Sequence, residues 1–431
     1  MVWVIILVAL ALIAWSKMPI GVGLGLTGLV ILHFVAGGTE SLAILAIWNV
    51  FTDFTFSAIP IFIVMGEVLL LSGVSKKMYD AVAPLFDGIP GKLLHSNIAV
   101  CTLFGSVSGT STSTAAAIGS VAYPELKSRG YELRFVTSTL AAGGTLGLLI
   151  PPSLSLIIYG ASQQVSIGKL FLAGLLPGLM IAGMFMCFIM IQALRNPGWI
   201  PPAGEAASWR QRLQRLLTLW PVVFLVVAVL GTLYAGLATP TEAAGLGAVA
   251  AVIIGFSWGD LTSQKLLAAF YRSAIMMGAL SLVLIGAIIL AQSISIIGLP
   301  QTMMSHISQL GLSPVALIVV IGGVYILLGC FFEGISLMLM TLPIVFPVLI
   351  AAGFDPVWTG IYITVMIEIG MLTPPVGLNL FVLSTISKGE VPITTVARAT
   401  IPFWIIMISA VAILVAFPQI ALFVPELVFG G

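Results

Sequence analysis

The chain has 431 residues, with 16 Lys+Arg against 15 Asp+Glu, so 7% of it is charged where a soluble domain carries roughly 25%. That composition, with 60% hydrophobic residues and a net charge of +1, excludes an ordinary soluble enzyme and offers no basic face for nucleic acid. What remains is an all-α polytopic membrane protein embedded in a lipid bilayer, with apolar sequence for about ten crossings of roughly 20 residues each.

In chain order, residues 1–55 carry apolar runs at 2–16 and 18–36 and are expected to form N-terminal scaffold spans. The first run lacks a basic n-region and a small-residue cleavage site, so it reads as a span retained in the mature protein. Residues 56–193 form a first repeat, with simple spans at 56–73 and 169–193 flanking an apolar stretch at 95–128 and another at 134–161. A cytoplasmic linker without a motif follows at 194–215. Residues 216–297 belong to further scaffold spans and an arm, the apolar runs being 213–236, 241–258 and 272–297. A second repeat, 298–431, holds stretches at 318–351 and 357–387 and a last span at 400–424.

Four of these stretches are interrupted. Those at 95–128 and 318–351 break at Gly105 to Thr114 and at Gly329 to Gly334, the pattern of re-entrant helical hairpins. Those at 134–161 and 357–387 break at Pro151-Pro152 and Pro374-Pro375. Broken backbone at membrane depth is tolerated where protein or a water-lined cavity satisfies it, so the breaks mark the working site. The two regions are also copies: Tyr123-Pro124 and Phe346-Pro347, Gly130 and Gly353, Gly147 and Gly370, and the two Pro pairs are each 223 residues apart. With the N-terminus outside, fifteen basic residues face the cytoplasm and Lys169 alone faces out. The hairpins then enter from opposite sides, giving inverted repeats with discontinuous helices, a description of secondary transporters.

No HExxH, GxSxG or Walker-type sequence is present, so neither an enzyme nor an ATP site is expected, and no organic cofactor. Cys101, Cys187 and Cys330 are expected as free, buried thiols. The chemistry concentrates at the breaks. Seven hydroxyls fall in the nine positions from Ser106 to Thr114, and hydroxyls with freed carbonyls suit Na⁺, although the same residues also let helices approach closely. The second tip places Glu333 where Thr110 sits in the first; it could neutralise a cation, carry a proton or accept backbone hydrogen bonds. Asn379 could contact substrate or cap the half-helix after Pro375. Glu368 lies close enough to Gly370 to support the site, whereas Glu67 reads as a packing residue. Thr239 to Glu242 reads as a capping box.

The runs SGTSTSTAAAIG at 108–119, GLLIPPS at 147–153, ATPTEAAGLGA at 238–248, LPIVFP at 342–347 and GMLTPPVGLN at 370–379 resemble the large membrane subunit, dicarboxylate type, of tripartite ATP-independent periplasmic (TRAP) transporters. The resemblance covers nearly the whole chain. It implies an elevator-type ion-transporter fold in a bacterial inner membrane and Na⁺-driven import of an organic acid. It also implies a small four-helix membrane subunit and a periplasmic substrate-binding protein as partners. By position, it implies a first Na⁺ site at Ser106, Ser108, Gly147 and Pro151, a second at Gly329, Phe332, Gly370 and Thr373, and substrate near Thr110, Ser111, Glu333 and Asn379. A self-sufficient divalent-anion:Na⁺ symporter is the alternative.

Overall fold

Hydrocarbon offers backbone amides and carbonyls no water, so each crossing has to satisfy its own hydrogen bonds, and helices do so. In the computed structural model the described residues are 18–201, 208–299, 301, 302, 305 and 313–430, and they contain helices and turns with no strand. The expected span at 2–16, residues 202–207 of the linker and most of the outward segment 300–312 lie outside the described residues.

The first half runs α1 (Ile20–Phe34), α2 (Glu40–Thr52), α3 (Ala58–Leu71), α4 (Val74–Val82), α5 (Leu93–Ser108), α6 (Ser111–Ser128), α7 (Leu133–Thr145), α8 (Leu154–Gln163) and α9 (Ile167–Arg195). The second runs α10 (Trp209–Leu217), α11 (Trp220–Tyr234), α12 (Pro240–Ser257), α13 (Ser263–Ile296), α14 (Pro314–Gly329), α15 (Gly334–Ala351), α16 (Pro356–Leu372), α17 (Leu378–Ile386), α18 (Ile393–Ala416) and α19 (Gln419–Phe429). The Thr239–Glu242 capping box is present, with Thr239 accepting from the Glu242 amide while the Glu242 side chain accepts from Thr239.

Several elements differ from their sequence reading. The run at 213–236 is two helices: α10 and α11 meet at a 50° bend. The linker therefore does carry a motif, since Ser208 and Gln211 form a capping box that starts α10, a helix without a buried residue. Its Trp and Leu positions alternate with Arg210, Arg212 and Arg215, the pattern of a helix lying in the membrane interface. Helix α13 starts at Ser263 rather than 272 because Thr262 caps it. The run at 400–424 divides at Phe417-Pro418, where proline has no amide to continue the ladder. Cys187 is exposed on α9, not buried like Cys101 and Cys330, because it faces the outer side of a helix that packs through Phe185 and Ile189.

Helices α1, α3, α11, α12 and α13 pack on one another, with α13 lying along both α1 and α3. Gly21 and Gly286 let α1 and α13 touch backbone to backbone: a Cβ on Gly286 would stand 2.0 Å from the Gly21 carbonyl oxygen. The other helices gather around two hairpins. Arms α5 and α6 turn at Gly109-Thr110, and adjacent glycines of α7 receive them, Gly143 against Cys101 and Gly144 against Ala115. Arms α14 and α15 turn at residues 330–333 and are tied by a 2.6 Å hydrogen bond between Tyr325 and Thr341. An arm of 16 residues is about 24 Å long, short of the roughly 30 Å hydrocarbon core, so the arms α5 and α14 do not cross.

The hairpin bases sit at opposite ends of the crossing helix α18. Lys127, at the base of the first, pairs with Glu390 just before α18 starts. Trp358, beside the base of the second, donates to the Leu414 carbonyl near the end of α18, 3.1 Å away. The repeats are inverted. The Lys127 ammonium and the Tyr123 hydroxyl hold the Glu390 carboxyl below the ordinary carboxylate range.

Both hairpins meet their broken helix through paired glycines. A Cβ on Gly105 would come 2.6 Å from Gly147 Cα, and one on Gly329 2.7 Å from Gly370 Cα. Gly329→Ala or Gly370→Ala should therefore lower stability by about 1–3 kcal/mol, because backbone cannot move aside as a side chain does. Gly183 on α9 meets nothing within 4 Å, and Gly183→Ala should leave stability unchanged or raise it by up to about 1 kcal/mol. Thermal unfolding in detergent measures both; equal midpoints for Gly329→Ala and Gly183→Ala would contradict the contact.

Candidate functional site

The hydroxyl run is more helical than the sequence indicates. Apart from Gly109 and Thr110, residues from Gly105 to Thr114 belong to α5 or α6, so the first tip is two residues wide. Gly109 has φ +67°, which glycine adopts without strain. The Ser108 hydroxyl lies 2.6 Å from that of Thr114 and 3.3 Å from the Thr110 carbonyl, which also accepts from the Thr114 hydroxyl at 2.7 Å. Gly147 faces the same cluster, its missing side chain leaving room for Thr114 Oγ1 and the Thr110 carbonyl. Pro151 is buried beneath it, whereas the Ser106 hydroxyl turns back to the Leu103 carbonyl.

The broken helices lean on the tips in the same way in each repeat. Leu154, which opens α8, donates its amide to the Gly109 carbonyl at 3.3 Å; Gly377, just before α17, donates to Cys330 at 3.1 Å. Ser153 and Ser155 both bond the Leu148 carbonyl, Ser155 at 2.6 Å, and so satisfy an oxygen that the break at Pro151 frees. At the second tip Gly329 and Gly370 touch, Phe332 is half-buried and Thr373 bonds the Ile369 carbonyl at 2.7 Å. Pro374 and Pro375 are exposed where Pro151 and Pro152 are buried. The second tip is wider between its helices, but the stretch from the paired glycine to the following arm is one residue shorter there. The arms α6 and α15 and the helices α7 and α16 keep the 223-residue offset, while Gly105 and Gly329 are 224 apart.

Glu333 takes the N-cap of α15, its Oε2 accepting from the amides of Ile335 at 3.0 Å and Ser336 at 3.1 Å. Its carboxyl group stands at the positive end of the helix dipole. Asn379 does not cap α17, whose N-cap is Gly377 without a side-chain bond. Its Nδ2 instead donates to Ser111 Oγ at 2.7 Å and to the Ala141 carbonyl at 3.1 Å, joining the second repeat to the first hairpin. Its Oδ1, Thr110 Oγ1 and both carboxylate oxygens of Glu368 are buried without a hydrogen-bond partner.

Glu67 reads from the sequence as a packing residue, and the structure places it beside the first tip. Helix α3 lays Gly66 against Ser108, whose carbonyl a Cβ would approach to 3.2 Å. Glu67 then lines a crevice with Ser108, Thr110, Ser113 and Met276, and its Oε2 is buried without a partner. The free volume there is about 10 Å³, room for one water at most. The available signal was a carboxylate in an otherwise apolar run, which is a functional candidate by default.

Oppositely oriented hairpins, helices broken at their tips and a polar crevice at the junction are the architecture of a membrane transporter. The chain belongs to the family described as Tripartite ATP-independent periplasmic transporter, DctM component, whose model matches residues 4–420. It is 34% identical over 437 residues to the C4-dicarboxylate TRAP transporter large permease protein DctM of Rhodobacter capsulatus, covering 98% of each chain. It is 33% identical over 377 residues to the ectoine TRAP transporter large permease protein TeaC of Halomonas elongata, covering 86% of each. In fold it is similar to the crystal structure of the Alcanivorax borkumensis YdaH transporter, with TM-score 0.67, 13% identity and 90% and 91% of the two chains covered. The protein is thus a transporter subunit and not an enzyme, a multi-pass protein of the bacterial inner membrane and one component of a binding-protein-dependent system.

Asn379→Leu removes two hydrogen bonds, leaving Ser111 Oγ without its donor at a buried junction while the Ala141 carbonyl keeps its helical bond, a loss on the order of 1–3 kcal/mol. Ser111→Ala should cost less, and Thr385→Ala on the exposed face of α17 should cost almost nothing. Ranking the three by thermal unfolding checks the junction; a silent Asn379→Leu would refute it.

Proposed function

We propose that this chain is the transport subunit of a Na⁺-coupled secondary transporter importing an organic acid anion. In this reading a periplasmic binding protein delivers the acid and a small four-helix membrane subunit completes the permease. The observation that carries the reading is the pair of tips, each apposing a glycine of a broken helix to a hairpin end. Unwound carbonyls and helix C-terminal ends suit a hard cation, while the N-termini of α6, α8 and α17 present amides to a carboxylate.

The first Na⁺ would sit among Ser106, Ser108, Gly147 and Pro151, and the second among Gly329, Phe332, Gly370 and Thr373. The acid would lie near Thr110, Ser111, Glu333 and Asn379. The relatives' names attach a C4-dicarboxylate to one large permease and ectoine to another, so the shared requirement is a carboxylate. Loss of one hydroxyl ligand costs on the order of 1 kcal/mol, several-fold in affinity. Ser108→Ala and Thr373→Ala should therefore raise the Na⁺ concentration for half-maximal uptake several-fold in proteoliposomes holding all three components. Undiminished uptake with choline in place of Na⁺ at constant pH would sink the coupling.

The crevice under α3 supports an elevator mechanism, since about 10 Å³ admits no organic acid. The hairpin half would have to slide against a scaffold formed by residues 1–55 and 216–297, with α3, which packs on α12 and α13, belonging to that scaffold, for cargo to enter. Cysteines replacing Glu67 and Ser113, in a background lacking Cys101, Cys187 and Cys330, should be bridged by a short bis-methanethiosulfonate, which forms a disulfide at each end as methanesulfinate leaves. Uptake should stop on bridging with a reducible reagent and return on reduction. Full-rate uptake by the bridged protein would show that the hairpin half does not move past α3.

A further inference from the structure

Away from the tips, a cavity of about 330 Å³ lies among the first turn of α7, the last turns of α9 and the start of α18. Its polar lining is Arg134, Gln192, Thr395 and Arg398, and its walls include Trp199 and Phe188. The three helix ends belong to the cytoplasmic side assigned by the basic residues, and an amide–carbonyl bond of 3.0 Å from Glu132 to Trp199 ties two of the loops together. An aromatic floor supports the cavity, with Phe135 and Trp199 ring centroids 5.5 Å apart and Phe188 and Phe403 5.0 Å apart.

The donors are poised but unspent. Arg134 pairs with Glu132 through Nε at 3.2 Å and its guanidinium lies 4.8 Å over the Trp199 ring, which fixes its plane. Its terminal nitrogens have no hydrogen-bond partner among the described residues. Arg398 has no carboxylate within ion-pair distance among the described residues. The Thr395 hydroxyl makes no bond there either, and Gln192 uses its carbonyl oxygen on Asn196 at 3.1 Å, leaving its amide hydrogens. Two guanidinium forks, an amide and a hydroxyl facing one space suit a tetrahedral oxyanion that accepts bidentate bonds.

We propose that this cavity binds the phosphate headgroup of an anionic phospholipid from the cytoplasmic leaflet. The lipid source follows from what adjoins the cavity. Beyond Arg398 and Pro402, α18 exposes Ile401, Ile405 and Ile408 in a row that runs toward the bilayer centre, a surface for an acyl chain. A free anion would have no use for that stripe, and basic pockets between helices on the cytoplasmic side are a recurrent way to hold lipid headgroups. Helices α7, α9 and α18 all pack within the hairpin half, so the lipid would be bound to that half and not to α1, α3 or α13.

The test is native mass spectrometry of the full-length chain in detergent supplemented with phosphatidylglycerol, phosphatidylcholine or inorganic phosphate. Arg398→Gln carries it, because Arg398 makes no contact whose loss would unfold the loops; its thermal midpoint should match the wild type. Retained phosphatidylglycerol should fall about ten-fold in Arg398→Gln, the loss of one charge-assisted contact, and stay at the wild-type level in Arg210→Gln on α10. Arg134→Gln should show a similar fall. Undiminished retention in Arg398→Gln would overturn the site. Displacement of phosphatidylglycerol by millimolar inorganic phosphate would assign it to a free anion, and equal retention of phosphatidylcholine would remove the preference for anionic lipid, either of which overturns the proposal.

Discussion

A helix broken inside hydrocarbon has to give its freed amides and carbonyls to something, and in this protein each break gives an amide to the hairpin tip of its own repeat. Gly109 accepts from Leu154 and Cys330 accepts from Gly377, so a tip and a broken helix complete one another in each repeat. Neither part is viable alone, because an unsatisfied backbone group in a dry medium costs several kcal/mol. The glycine pairs follow from the same demand. Bonds of that kind need backbones nearly in contact, and Gly105 with Gly147 and Gly329 with Gly370 are where the absence of a side chain permits it.

The two copies differ in ways that their sequence symmetry conceals. The first tip has hydroxyls, buried prolines and α3 laid across it; the second has one residue fewer between its paired glycine and the next arm, uses a carboxyl cap and exposes its prolines. An inserted residue at a tip changes which carbonyl points outward without disturbing the arms, since the arms are held by their own contacts with α7 and α16. Equivalent folds can therefore present different ligand sets.

The breaks were legible in the sequence because Pro-Pro and glycine act on the backbone directly: proline removes a donor and glycine removes a clash. The 223-residue offset carried the inverted repeat for the same reason. What escaped depended on contacts between distant segments or on averaged hydrophobicity. The helix Trp209 to Leu217 is divided between the linker, which ends at 215, and the apolar run that begins at 213, because its arginines and leucines pull an averaged window in opposite directions; none of its residues is buried. Glu67 could not be placed, since its neighbours Ser108 and Thr110 stand some 40 positions away and nothing local brings α3 to them. The sequence left Asn379 open between substrate and cap; its bond to Ser111 spans 268 positions.

Glu67 lies where the helices packed around α13 meet the first hairpin in one polar seam. Helix α3 packs chiefly with α12 and α13, yet through Gly66 it rests on the Ser108 backbone, and its carboxylate enters the hydroxyl cluster of the first tip. A glycine against backbone forms a smooth contact with no interlocked side chain, which resists sliding less than a knob in a hole does. The carboxylate beside it acts in the same direction: its Oε2 is buried without a hydrogen-bond partner, a cost that any polar partner reaching the seam would relieve. In the elevator reading proposed above, the seam would thus combine an easy glide surface with a polar group that gains partners on opening.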